Sequence, residues 1–179
     1  ILYLMRFVDP ETVVTHFHLK PGDQVADFGA GTGFFLKPLS RLVGDEGMVL
    51  ACDIQKNLVE SMNTLVEREQ LGNVRTIWCD LEKLGGTKIA DNSLDVVTLI
   101  NTFFQVEDKA VVVAECHRVV RPGGRVILVD WSESWGGLGP EPKAVVTQEQ
   151  AEGYFNQVGF TTETAFDAGD HHYGVSFRK

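Results

Sequence analysis

Five short apolar runs alternate with longer amphipathic stretches over the first three quarters of the chain. The runs are QVADF, GMVLACDI, VRTIWCD, LDVVTLINT and RVILVDW, and they begin at residues 24, 47, 74, 94 and 125. The other stretches predict helices over residues 34–43, 58–71, 108–120 and 147–158. Parallel strands need a crossover connection, which is usually a helix. The alternation therefore predicts an α/β fold: a doubly wound, mostly parallel sheet with helices on both faces.

The two ends of the chain complete this prediction. The segments Thr161–Phe166 and Tyr173–Arg178 read as strands with no helix between them, so they predict an antiparallel hairpin at one edge of a seven-stranded sheet. Near the other end, DPETVVTHF predicts a helix with Asp9 as N-cap and Pro10 at its first position. Pro38 is expected to kink the helix over residues 34–43. Without repeats or a linker, residues 1–179 predict a single domain.

The segment VADFGAGTGFF, from Val25 to Phe35, carries three glycines in five residues, directly after the first predicted strand. Such glycines allow the backbone to approach a ligand closely. A dinucleotide-binding loop has the pattern G-x-G-x-x-G, but here Phe34 stands where its last glycine would be. No Lys-Ser or Lys-Thr pair follows to make a P-loop. The loop therefore favours a nucleoside-like ligand that lacks phosphates.

Acidic residues end three of the predicted strands. Asp27 ends the first strand, Asp53 the second and Asp80 the third, and the carboxyl ends of parallel strands meet at one edge of the sheet. We expect Asp53 to accept hydrogen bonds from ribose hydroxyls and Asp80 to accept from an adenine amino group. Asp27 is suited to hold an ammonium group or to order the loop. For Asp80, a helix N-cap is the alternative interpretation.

Taken together, these segments resemble the class I S-adenosylmethionine-dependent methyltransferases over nearly the whole chain. VADFGAGTG is similar to that family's first motif, ACDI to its ribose-binding acid, CDLEKL to its adenine-contacting segment and RVVRPGGRVILVDW to its helix, turn and fifth strand. More narrowly, the set resembles small bacterial methyltransferases related to the ubiquinone/menaquinone-pathway enzymes.

The resemblance implies the strand order 3-2-1-4-5-7-6, with strand 7 antiparallel, and S-adenosylmethionine as the cofactor. The cofactor-binding residues that it implies are Asp27, Phe28, Gly29, Ala30, Gly31, Gly33, Asp53, Ile54, Asp80, Leu81 and Asn101.

The methyl acceptor is indicated only in outline. Residues 101–104 read NTFF and lack the prolines of the segment Asn-Pro-Pro-Tyr/Phe, which enzymes that methylate nucleic acid bases carry at this place. Aromatic residues at the ends of the fourth and fifth strands favour a small, partly apolar acceptor. Phe104, Asp130 and Trp131 are the candidate acceptor contacts, although Phe104 and Trp131 also suit the core.

Catalytic residues are not assigned, because methyl transfer from a sulfonium needs a base only when the acceptor must lose a proton. Asp130 and one of His171 or His172 are the candidate bases. The glycine-rich loop Trp135–Pro140 is predicted to be a mobile lid over the acceptor. Two rival functions are an NAD-dependent dehydrogenase and a non-catalytic protein that binds S-adenosylmethionine or stabilises a partner.

Composition limits the partners and the compartment. Sixteen basic and twenty-five acidic residues give a net charge of −9 with no linear Lys/Arg cluster, which argues against duplex nucleic acid. Cys52, Cys79 and Cys116 fit neither a disulfide framework nor a zinc site and favour a cytoplasmic location. No metal site is expected, since the five histidines do not converge. No apolar run is long enough for a membrane span, and a homodimer is the one assembly left open.

Overall fold

A computed structural model describes residues 8–137 and 139–179. Its strands are β1 (Gln24–Phe28), β2 (Met48–Asp53), β3 (Val74–Trp78), β4 (Leu94–Ile100), β5 (Val120–Trp131), β6 (Thr161–Asp167) and β7 (His172–Arg178). Its helices are α1 (Pro10–Val13), α2 (Leu36–Val43), α3 (Lys56–Arg68), α4 (Lys109–Val119) and α5 (Gln148–Gln157), with short 3₁₀ helices at Val14–Phe17 and Pro142–Ala144.

The strands form one sheet in the order β3-β2-β1-β4-β5-β7-β6, which confirms the predicted order. β1 pairs in parallel with both β2 and β4, and β2–β3 and β4–β5 are also parallel pairs. β7 pairs antiparallel with β5 and with β6, as the predicted edge hairpin requires. Since the chain moves outward from β1 to β3 and then returns to β4 on the other side of β1, a crevice opens at the carboxyl ends of β1 and β4.

Helices cover both faces of the sheet, as predicted. Side chains of α1, α2 and α3 belong to one buried apolar cluster, which includes Val13, Leu39 and Met62. Side chains of α4 and α5 belong to a second cluster, which includes Val113 and Phe155. The inner strands β1, β2, β4 and β5 are therefore largely buried on both sides, which explains why their sequences contain nearly continuous apolar runs.

Three local features differ from the predictions or refine them. The kink expected at Pro38 is not required: α2 begins at Leu36, so Pro38 lies in the first turn, where a backbone N–H has no partner within the helix. The turn expected at RPGG lies within β5: Val120 pairs with Leu94 and Arg125 with Val96, so residues 121–124 form an irregularity between these pairs. The predicted N-cap is confirmed, because the Asp9 carboxylate accepts from the backbone N–H of Thr12.

A fully buried carboxylate fixes the segment between β3 and β4. Glu115 of α4 exposes no surface and accepts two hydrogen bonds from the Arg118 guanidinium, at 2.9 and 2.7 Å. It also accepts from the backbone N–H of Gly85 at 2.7 Å and from the N–H and hydroxyl of Thr87. Burial by itself raises the pKa of Glu115, but these hydrogen bonds outweigh it and lower the pKa to about 2.

Gly29, at the end of β1, is packed too closely for any side chain. Its φ is +77°, and a Cβ at this position would lie 2.4 Å from Oγ1 of Thr102, which follows β4. Gly31 also has a positive φ of +57°, but a Cβ at this position would meet no atom closer than a backbone oxygen at 4.0 Å. Gly29 is thus required for the packing of β1 against β4, whereas Gly31 leaves open space in front of the loop.

We expect Glu115→Gln to lower the free energy of unfolding by about 3 kcal/mol, because it leaves the buried Arg118 contacts and two backbone donors without their charged acceptor. Urea unfolding followed by circular dichroism measures the loss. Asp91→Asn is the matched control, since Asp91 pairs with the same guanidinium but is 70% exposed; it should cost less than about 1 kcal/mol. Equal losses in the two variants would contradict the assignment.

We also expect Gly29→Ala to cost about 3 kcal/mol, since the added methyl group meets the Thr102 side chain and the backbone keeps a positive φ. Gly31→Ala should cost only about 1 kcal/mol, because it carries the backbone strain without the clash. The same unfolding measurement compares them. If the clash with Thr102 destabilises Gly29→Ala, then adding Thr102→Ser, which removes a methyl group, should restore part of the lost free energy of unfolding. The same addition should restore none of the loss in Gly31→Ala.

Candidate functional site

A cavity of about 350 Å³ opens at the carboxyl ends of β1, β2 and β4; we call it the central cleft. It is lined by Gly29, Gly31, Asp53, Ile54, Gln55, Leu58, Asp80, Leu81, Glu82, Thr102, Gln105 and Val106. Six of the predicted cofactor-binding residues are therefore brought together: Gly29, Gly31, Asp53, Ile54, Asp80 and Leu81. The cleft lies where the chain reverses across β1, as open α/β sheets lead one to expect.

Asp53 connects the glycine loop to the end of β2. Its Oδ2 accepts from the N–H of Gly31 at 3.0 Å, and its Oδ1 accepts from the N–H of Gln55 at 2.9 Å. Asp53 is 6% exposed and lines the cleft. Each carboxylate oxygen can accept a further hydrogen bond, so both can still serve a ligand.

Asp80 and Leu81 form the part of the cleft beyond β3. The Asp80 Oδ1 accepts from the N–H of Glu82 at 3.0 Å in a tight turn. No helix lies between β3 and β4 in the described residues, so the alternative interpretation of Asp80 as a helix N-cap is wrong. Leu81 is buried and supplies an apolar wall.

Asp27 and Asn101 are close in sequence to Gly29 and Thr102, which line the cleft, but do not line it themselves. Asp27 is buried at the end of β1, where its Oδ1 accepts from the Thr98 hydroxyl at 2.7 Å. Burial raises the pKa of Asp27 to about 6. Asn101 follows β4 with a φ of +53°, and its buried Oδ1 has no hydrogen-bond partner. A buried oxygen of this kind is normally satisfied by water or a ligand.

Three other predicted residues face away from the cleft. Phe28 is fully buried in the core on the α4 side of the sheet. Ala30 packs against the opposite core cluster. A Cβ on Gly33 would lie 2.9 Å from Leu65 of α3, so this glycine allows the loop to pack on that helix. These residues shape the loop from behind.

Six lining residues were not predicted: Gln55, Leu58, Glu82, Thr102, Gln105 and Val106. Gln55 and Glu82 each follow a predicted residue by one position, which is the only sequence signal for them. Leu58 has the spacing of an inward-facing helix residue, but it lies at the start of α3 beside the cleft. Gln105 and Val106 belong to an irregular segment after β4, whose path no pattern predicts.

The candidate acceptor residues have different surroundings. Phe104 is half-buried against the core, and Trp131 is partly exposed at the end of β5. Asp130 exposes no surface, and its carboxylate accepts at 2.8 Å from the N–H groups of both Phe104 and Trp131. Burial raises the pKa of Asp130 to about 7. Its hydrogen bonds fix the backbone that follows β4.

His171 and His172 also differ. His171 contacts the Glu133 carboxylate at 2.8 Å and stacks on Trp135, with ring centroids 4.8 Å apart. The Nδ1 of His172 donates to the carbonyl of Asp170 at 2.9 Å, which leaves Nε2 as the acceptor nitrogen of the ring. That Nε2 is buried and has no hydrogen-bond partner, and burial lowers the pKa of His172.

The loop predicted to be a lid follows β5. A Cβ on Gly139 would lie 2.7 Å from the Trp131 ring, so this part of the loop packs directly on that indole. Leu138 lies outside the described residues. The mobility of the loop stays a prediction.

A second cavity, of about 740 Å³, lies beside α1; we call it the α1 cavity. It is lined by Val8, Asp9, Pro10, Thr12, Val13, His16, Phe34, Asp167, Ala168 and Gly169. Phe34 follows the glycine loop and is 67% exposed. The loop therefore borders the central cleft with Gly31 and the α1 cavity with Phe34.

Two further findings concern the described residues only. They hold no group of three or more His, Cys, Asp or Glu side chains placed to bind a metal ion. Every helix within 8–137 and 139–179 is too short or too polar to cross a lipid bilayer.

Two solved structures resemble this chain, and the identity of the first is high enough to support a family assignment as well as the fold. The crystal structure of an S-adenosylmethionine-dependent methyltransferase from Aquifex aeolicus superposes with a TM-score of 0.87 at 29% identity, covering 96% of this chain and 89% of that one. The [4+2]-cyclase SpnF superposes with a TM-score of 0.81 at 14% identity, covering 95% of this chain and 80% of that one. At 14% identity, the likeness to SpnF shows the fold alone.

Sequence comparison gives the family. Ubiquinone/menaquinone biosynthesis C-methyltransferase UbiE of Teredinibacter turnerae is 35% identical over 121 residues, which are 67% of this chain and 47% of that protein. The chain thus spans about half the length of the curated relatives that it matches. Residues 26–128 match the family model described as a methyltransferase domain, and they include the glycine loop, Asp53 and Asp80. The predicted resemblance is confirmed: this chain belongs to the methyltransferase domain family.

Proposed function

We propose that this domain binds S-adenosylmethionine in the central cleft and transfers its methyl group to a small, partly apolar acceptor. The observation that carries the proposal is the charge of the cleft. Asp53, Asp80 and Glu82 line it, and the described lining residues include no lysine or arginine. Phosphate groups would meet like charge there, whereas ribose hydroxyls, an adenine amino group and a cationic donor would meet hydrogen-bond acceptors or opposite charge.

The residues fit such a ligand one by one. Asp53 would accept from the ribose hydroxyls, and Asp80 from the adenine amino group, with Ile54 and Leu81 against the base. Gly31 leaves the open space that a close backbone approach needs. The partnerless Oδ1 of Asn101 has the right chemistry to accept from an ammonium group.

When bound, the cofactor would supply a methyl group on a sulfonium, which is a good leaving group. The chain's own contribution is then to orient the two reactants and to exclude water. Asp130 helps to orient the reactants without contacting them. Its carboxylate accepts from the N–H groups of Phe104 and Trp131 and so fixes the backbone after β4 and at the end of β5. We therefore assign Asp130 a positioning role. The acceptor contacts predicted at Phe104 and Trp131 are not part of this proposal, because neither residue lines the α1 cavity, in which we place the acceptor.

We place the acceptor in the α1 cavity. Val13, Phe34 and Ala168 give this cavity apolar walls, and Phe34 connects it to the glycine loop. Such walls suit the partly apolar acceptor that the sequence predicts. Because the UbiE relative is named for ubiquinone and menaquinone biosynthesis, reduced quinones are the first acceptor class to test.

For an acceptor that must lose a proton, the tautomer and the pKa of His172 suit a base, although His172 does not itself line the α1 cavity. The hydrogen bond from Nδ1 to Asp170 fixes the tautomer, so Nε2 keeps its lone pair, and the lowered pKa keeps the ring neutral near pH 7. The Asp130 carboxylate holds the backbone N–H groups of Phe104 and Trp131 and exposes no surface. The cytoplasmic location predicted from the cysteines stays a prediction.

Calorimetry and a transfer assay test the function. We expect micromolar binding of S-adenosylmethionine and no binding of NAD. We also expect transfer of a labelled methyl group to a component of a bacterial metabolite extract or to a reduced quinone.

Phe34→Ser should lower the transfer rate at least tenfold without changing cofactor affinity, since it removes a wall of the α1 cavity. Leu84→Ser, an equally exposed apolar site elsewhere, should change neither. Tight NAD binding, or cofactor binding with no labelled product, would support the respective rival function.

Cofactor binding should depend on the ionisation of Asp27. With its pKa near 6, Asp27 is mostly neutral at pH 5 and mostly charged at pH 7, and only the charged form attracts an ammonium group. Affinity for S-adenosylhomocysteine, measured by calorimetry, should therefore rise about tenfold from pH 5 to pH 7. Asp27→Asn should flatten this dependence, whereas Asp130→Asn should keep it. Parallel pH profiles for the wild type and Asp27→Asn would exclude the assignment.

A further inference from the structure

A groove of about 450 Å³ on the outer side of β3 is bordered by exposed apolar side chains. Trp78 is 49% exposed, Leu84 is 62% exposed and Ile54 is 58% exposed. These are three of the four large apolar side chains that are exposed in the described residues, and all three line this groove. Ile54 also borders the central cleft, so a bound cofactor would cover part of it; Trp78 and Leu84 have no such cover.

Three lysines surround the same groove. The Nζ atoms of Lys56 and Lys88 lie 4.3 and 5.9 Å from the centre of the Trp78 ring, and Lys83 lines the groove beside Leu84. None of the three has a carboxylate within ion-pair distance in the part of the chain that the structure describes. On a chain with a net charge of −9, this is a local concentration of unpaired positive charge.

The segment that presents Lys83, Leu84 and Lys88 is held in a fixed shape. Glu115 binds the backbone N–H of Gly85 and of Thr87 from beneath, so the residues between β3 and β4 are anchored to α4. Lys88 adopts a φ of +60°, and its N–H donates to the carbonyl of Gly85 at 3.2 Å. The exposed side chains therefore project from a preformed surface.

We propose that this surface, formed by Ile54, Trp78 and Leu84 with Lys56, Lys83 and Lys88, docks onto an anionic lipid bilayer. Indole and aliphatic groups partition into the interfacial region of a bilayer, while lysine ammonium groups reach the headgroup phosphates. Asp80 is the acidic side chain among the described residues that line the groove, and its Oδ1 is engaged by the N–H of Glu82. Glu82, which precedes Lys83, lines the adjoining central cleft, and its carboxylate accepts from the N–H of Asp108 at 2.6 Å. Acidic side chains more than a Debye length of about 8 Å away are screened.

Charge and shape favour a bilayer over other anionic partners. A nucleic acid would require more phosphate contacts than three lysines provide. An acidic polypeptide could pair with the lysines, but it would leave Trp78 and Leu84 in water, whereas a bilayer covers both kinds of side chain. The proposal does not depend on methyl transfer, since Trp78, Leu84 and the three lysines do not line the central cleft and only Ile54 of this surface is shared with it.

Co-sedimentation of the whole chain with vesicles tests the docking. We expect binding to vesicles of phosphatidylcholine with 30% phosphatidylglycerol, no binding to pure phosphatidylcholine, and a loss of binding between 0.1 and 0.5 M NaCl. The double variant Lys83→Glu and Lys88→Glu should bind at least tenfold more weakly, because each lysine near an anionic surface contributes about fivefold. Leu84→Ser should also weaken binding, through the apolar contact alone.

The double variant Lys20→Glu and Lys143→Glu is the matched control, because it makes the same change in net charge at exposed lysines away from the groove. It should retain at least half of the wild-type binding. Equal losses in the two double variants, absence of binding to the anionic vesicles, or equal binding to both vesicle types would each overturn the proposal. Strong competition by soluble poly-glutamate with no effect of Leu84→Ser would replace the bilayer with an acidic polypeptide. Cofactor affinity, measured separately, distinguishes these results from a failure of the proposed function.

Discussion

The contact between Gly29 and Thr102 is the constraint on which the site depends. It joins the end of β1 to the end of β4 so closely that the Thr102 side chain occupies the place of a Cβ on Gly29. Because β1 and β4 are the strands between which the chain reverses, this contact sets the floor of the central cleft. The positions of Gly31 and Asp53 follow from it, since the loop must leave β1 at a fixed point.

Most of the fold and the central part of the site could be predicted from the sequence. The mostly parallel sheet follows from the alternation of elements, whereas the strand order follows only from the family resemblance. Asp53 and Asp80 follow from their places at strand ends. Gln105 and Val106 could not be predicted, because an irregular segment has no periodicity that fixes its path. Phe28 does not line the cleft for a different reason: its side chain is fully buried in the core on the α4 side of the sheet.

The three lysines around Trp78 illustrate another limit. A search for charge runs along the chain misses them, because Lys56 begins α3 while Lys83 and Lys88 belong to the segment before β4. Only the parallel pairing of β2 with β3 brings the ends of these segments together. The buried carboxylate of Glu115 is equally hidden in the sequence, where it reads as an ordinary polar position of a helix.

The pairing of β1 with β4 has a consequence for biosynthesis. Asp27 and Thr98, which are hydrogen-bonded across these strands, are 71 residues apart in the chain. A long loop must therefore close before the centre of the sheet can form, and contacts of this range slow folding. A growing chain that has not yet released β4 from the ribosome has the glycine loop and Asp53 but no opposite wall. The cleft can thus form only after β4 has been translated, and β1 carries an unpaired, strongly apolar edge until β4 arrives.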